Sequence, residues 1–90
     1  MKLWIIFRKK HKIARDYILE SDKSDAQWKE VLGKFLSEND YARPVFLSKH
    51  DNEMAQFFRT VFNKNDFIES FDYDAMEVEF VRDKNKEDER

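Results

Sequence analysis

Among its 90 residues the chain has no cysteine, one glycine and one proline. Without cysteine there is no disulfide framework, no thiolate zinc site and no cysteine nucleophile, a composition that suits a reducing cytoplasm. A lone glycine, Gly33, excludes both common glycine-rich phosphate loops and the tight turn that presents a serine nucleophile. So little glycine and proline also leaves little linker. One compact unit over residues 1–82 is expected, followed by an all-polar, disordered tail over 83–90. Long apolar runs are missing too: Leu3 to Phe7 is too short for a signal-peptide core or a membrane span.

What is present is aromatic and charged. Nine Phe, two Trp and three Tyr are ample for a core. Charged residues make up 40% of the chain, yet the net charge is only −2, so self-repulsion does not predict disorder. The charge is unevenly placed. Residues 1–15 carry Lys2, Arg8, Lys9, Lys10, Lys12 and Arg15 and no acid, while the acidic excess is concentrated after Asn65. Such polarity predicts either contact between the two ends or a basic face for a partner.

The organising stretch is Arg43 to Phe62, RPVFLSKHDNEMAQFFRTVF. Pro44 to Leu47 reads as a short buried strand after a proline. Ser48 to Asp51 is a polar joint, with Ser48 as a helix cap. Met54, Phe57, Phe58, Val61 and Phe62 then recur at steps of three and four, one wide helical face that Asn63 would end in a left-handed cap.

Elsewhere, Leu3 to Phe7 is apolar at every position and reads as a strand buried on both faces. Residues 11–20 fit either a helix or a strand; the strand is preferred because a hairpin pairs it with Leu3 to Phe7 at once. Ser24 and Gln27 have capping-box spacing, and Trp28, Val31, Leu32, Phe35 and Leu36 form the apolar face of the helix that follows. Gly33 falls on its outward side and Asn39-Asp40 supplies the stop. Residues 66–74 are either extended or a turn with a bridge. Met76, Val78 and Phe80 alternate with Glu77 and Glu79 as a half-buried strand. The expected fold is α+β, in the order β-β-α-β-α-β: a mixed, mostly antiparallel sheet of three to five strands with two amphipathic helices on one face.

Three groups of residues invite a functional reading. Ser48, Lys49 and His50 at a helix start are candidates for holding a phosphate, sulfate or carboxylate; the plainer reading is a capped helix with solvated side chains. Arg8, Lys9, Lys10 and Lys12 form a basic surface suited to nucleic-acid phosphates, although lysines at a hairpin tip also keep an edge soluble. Trp4 and Ile6 face the side of the sheet that two helices on the other side leave uncovered, and are the candidate interaction surface. His50 with Asp51 or Glu53 begins a metal site, but His11 is distant and no metal or other cofactor is expected. Ser48 or Ser70 with His50 makes a triad only on paper, so no catalytic residue is assigned. Asp66, Glu69, Asp72, Asp74, Glu77 and Glu79 lack calcium-loop spacing.

RPVFLSKH, RTVF and DFIESFDYDAMEVEF resemble small uncharacterised bacterial proteins without an assigned activity, in which a similar arrangement spans nearly the whole chain. The resemblance implies a standalone cytoplasmic protein and carries over no functional residues. The expected function is a small non-enzymatic interaction module, self-associating or meeting another protein through the Trp4/Ile6 face. The alternative is binding of nucleic acid or a phosphate ligand through Arg8 to Lys12 and Ser48 to His50. No membrane partner is expected.

Overall fold

The computed structural model describes residues 2–20 and 28–81. The expected capping box at Ser24 and Gln27 and the expected tail over 83–90 lie outside the described residues. β1 (Lys2–Lys9) and β2 (Lys12–Glu20) form the preferred hairpin. Its two-residue turn, Lys10-His11, has φ of 55° and 68°, the left-handed pair that matches the twist of the flanking strands. Neither residue is glycine, so each costs about 1–2 kcal/mol. A distant residue steadies the turn: Lys10 N–H donates to Asp74 Oδ2 at 2.7 Å, and Asp74 N–H donates to the Arg8 carbonyl at 2.8 Å.

α1 (Trp28–Glu38) buries Trp28, Leu32 and Leu36, with Val31 and Phe35 at the margin, as its spacing predicts. It stops at Asp40, whose φ is 61°; Tyr41 N–H reaches the Leu36 carbonyl and Asp40 N–H the Ser37 carbonyl, satisfying two end carbonyls. Gly33 is not on an open outward face. The Arg43 guanidinium lies over it, 2.8 Å from where a Cβ would stand, so glycine makes room for a side chain from the next segment.

The strand expected over Pro44 to Leu47 is reduced to one bridge, Pro44 to Phe67, followed by a Val45 N–H bond to the Asp66 carbonyl. α2 (Ser48–Phe57) then begins after Leu47, so Ser48 is its first residue and not its cap. The larger correction comes at the other end. α2 stops at Phe57 instead of running to Phe62, and Phe58 (φ 61°, ψ 20°) turns the chain straight into β3 (Arg59–Asn63). Asn63 ends a strand, with φ of −80°, and a 3₁₀ turn over Lys64–Asp66 follows.

The physical reason for that corner is the neighbouring strand. β4 (Ala75–Val81) pairs with β1 on one side and needs a partner on the other; β3 supplies it in antiparallel register, Thr60 opposite Val78 and Phe62 opposite Met76. Thr60 and Phe62 then point inward, whereas a helix continued through Phe62 would leave that ladder unmade.

Among the described residues the result is one antiparallel sheet of four strands, order β2-β1-β4-β3, with two helices: an α+β fold. Leu3, Ile5, Phe7, Phe62, Met76, Val78 and Phe80 on one sheet face share a single core with Trp28, Leu32, Leu36 and Met54 of the helices. Both helices therefore cover the same side. Residues 66–74 combine the turn and the bridge, and Phe67 and Phe71 stack at 3.8 Å between centroids beneath them.

Candidate functional site

The face without helices is written by the strand register. One row across it reads Ile18, Trp4, Glu79, Arg59; the next reads Asp16, Ile6, Glu77, Val61. Trp4 Nε1–H donates to Asp16 Oδ2 at 2.9 Å. Arg8 Nε lies 2.6 Å from Glu77 Oε2, and Arg59 Nη2 lies 3.1 Å from Glu77 Oε1. This pairing closes part of the face that sequence reading leaves bare. Ile6, bordered by Trp4, Arg8, Asp16 and Glu77, is only 3% exposed, while Trp4 is half-buried and Ile18 is 59% exposed. Long charged side chains cover apolar surface with their stems, and that is why Ile6 is not open.

The basic tip is as open as expected. Lys9, Lys10, His11 and Lys12 are all exposed at the turn, whereas Arg8 is drawn onto the sheet by Glu77.

The helix start does not hold together as an anion site. Ser48 and Lys49 are exposed, but the His50 ring is fully buried and stacks on Phe62 at 4.0 Å. Its Nδ1 accepts from the Leu47 N–H at 2.9 Å, which places the ring proton on Nε2. Among the described residues Nε2 has no hydrogen-bond partner, and it lies 3.7 Å from Asp66 Oδ2. Burial pushes the His50 pKa below 6.5, and the Asp66 carboxylate opposes that only in part. A neutral ring facing the core cannot serve an anion alongside Ser48 and Lys49. Sequence pattern gave no warning, since a histidine on a helix's first turn reads as solvated.

A recess between α2 and β3 had no counterpart in the sequence reading. It encloses about 470 Å³, walled by Lys49, Glu53 and Phe57 of α2 and by Arg59, Thr60 and Val61 of β3. The three helix residues are four apart and share one stripe. Thr60 Oγ1–H donates to Glu53 Oε1 at 2.5 Å, binding helix to strand across the recess floor. The signal for it was the alternation of Thr60 and Phe62 with Arg59, Val61 and Asn63, which the three-and-four spacing of the phenylalanines obscured.

At the far end of the core Tyr17 Oη and Tyr41 Oη lie 2.7 Å apart. Burial raises the Tyr41 pKa to about 12, and the hydrogen bond with Tyr41 lowers that of Tyr17. Among the described residues no three His, Asp or Glu side chains gather closely enough to hold a metal ion, and no helix is long and apolar enough to cross a membrane. The chain matches no family model, no curated protein and no solved structure.

Proposed function

We propose that this chain is a small non-enzymatic interaction module of the reducing cytoplasm, meeting a second copy of itself through the helix-free face of the sheet. The observation that carries the reading is the row Ile18, Trp4, Glu79, Arg59, in which exposed apolar surface and both signs of charge lie side by side. A face of one sign would repel its copy. One that offers Arg8 and Arg59 beside Asp16, Glu77 and Glu79 can meet itself about a two-fold axis. With Ile6 covered, Trp4 and Ile18 are the apolar centre. Sedimentation tests this: wild type is expected as a dimer and Trp4→Lys as a folded monomer, and a wild type that stays monomeric at high concentration ends the reading.

Exposure of Lys9, Lys10, His11 and Lys12 in succession favours a second reading, contact with nucleic acid or another polyanion at the hairpin tip. Titration with mixed oligonucleotides and with inorganic phosphate at low salt should then move the amides of these four residues. An unchanged spectrum removes it.

A further inference from the structure

We infer that the free edge of β3, with the wall of α2 beside it, takes up an extended peptide whose side chains alternate between apolar and acidic. The backbone defines the site. Phe80 N–H donates to the Phe58 carbonyl at 2.8 Å, so Phe58, Thr60 and Phe62 aim their backbone groups at β4, and Arg59, Val61 and Asn63 aim theirs away. The Asn63 N–H is already taken by Asp66 Oδ2 at 2.9 Å. Arg59 and Val61 each keep an N–H and a C=O at the edge, and no loop, cap or side-chain bond among the described residues reaches them. Two such residues, one apart, are what an added strand pairs with.

The chemistry of the occupant follows from the wall. Glu53 is engaged by Thr60, and Phe57 is 64% exposed. Alternate side chains of an added strand face opposite sides of the sheet, so its apolar residues would lie in the recess against the open Phe57 ring and its acidic ones beside Arg59 on the helix-free face. β3 already accepts that pattern on its inner side: β4 alternates Glu77 and Glu79 with Met76, Val78 and Phe80, and Arg59 pairs with Glu77. The outer edge offers a second place for the same kind of strand.

The probe is a capped peptide with the sequence of residues 75–81, and its control replaces both glutamates with lysine. Titrated into the labelled full chain, the probe should shift the Arg59 and Val61 amides and slow their hydrogen exchange, leaving Thr60 and Phe62, already bonded to β4, unchanged. Val61→Pro removes an outward N–H that the β3–β4 ladder does not use and should abolish the effect. Phe57→Ala, which removes an exposed ring from the recess, should weaken binding roughly tenfold and keeps the test decisive if the proline variant misfolds. Four results would overturn the inference: no shifts at millimolar probe, shifts confined to Trp4 and Ile18, equal binding of the lysine control, or binding unchanged by both variants. Protection of Arg59 and Val61 that grows with protein concentration in the absence of peptide would also overturn it, because a second copy would then hold the edge. Loss of the Trp4-dependent dimer leaves these amide shifts untouched, so the two readings fail separately.

Discussion

β2 and β3 are the two edge strands of one sheet, and among the described residues each has a single partner strand. β2 is nine residues long, and its register slips by one opposite Phe7 and Arg8, where Ala14 is the extra residue. Lys12, Arg15, Asp16 and Glu20 stud it with charge, and its inward Tyr17 and Leu19 are only half-buried. A bulge and charges are the usual means of keeping an edge from pairing. β3 has five residues, no slip in register and one charged side chain, and it is held down by inward Thr60 and Phe62, both buried. The longer edge is thus blunted, and the shorter one is anchored and left open beside a helix. Exposure alone would have singled out β2 as the sticky strand; the backbone and its neighbours single out β3.

The largest expected effect tests the anchoring. Phe62→Ala empties a site packed against Trp28, Phe46 and His50 and should cost about 3–5 kcal/mol. Leu19→Ala on β2, half-buried, should cost clearly less in the same urea titration. Equal losses would break the contrast between the two edges.

A mid-sized effect places acid sensitivity on the β3 side. His50 has a folded-state pKa below its ordinary 6.5. Between the two values the unfolded chain binds a proton that the folded chain does not, so stability falls as pH drops below 6.5 and levels off once folded His50 is protonated. The slope from this one group is at most about 1.4 kcal/mol per pH unit. Unfolding of wild type and His50→Gln across that window checks it: the two should run parallel above pH 6.5 and separate below. Identical slopes would put the sensitivity elsewhere.

The smallest effect concerns the left-handed corners that lead into the edges. Phe58 is 57% exposed, so Phe58→Gly loses little burial, relieves a positive φ and should leave stability unchanged or raise it by up to about 1 kcal/mol. Replacing Lys10-His11 with Asn-Gly at the β2 hairpin should raise it by a similar amount. A marked fall in melting temperature for Phe58→Gly would mean that the ring carries contacts that its exposure does not suggest.

Local pattern is enough for the elements that have one reading. Leu3 to Phe7 could only be a buried strand, Trp28 to Leu36 only a helix with one apolar face, and Met76 to Phe80 only a strand with one wet face. From these the α+β class followed, because two such helices need a sheet to cover. The basic tip was equally readable, since an exposed turn depends on local polarity. Tertiary structure decided Phe57 to Asn63. Its phenylalanines suit a helix by spacing and a strand by alternation, and only the unpaired side of β4, absent from any local window, chooses the strand. The same kind of distant neighbour buried His50 against Phe62, laid Arg43 over Gly33 and covered Ile6 with the Arg8–Glu77 pair. The recess at β3 belongs to this second group, because it exists only where the end of a helix and the edge of a sheet meet.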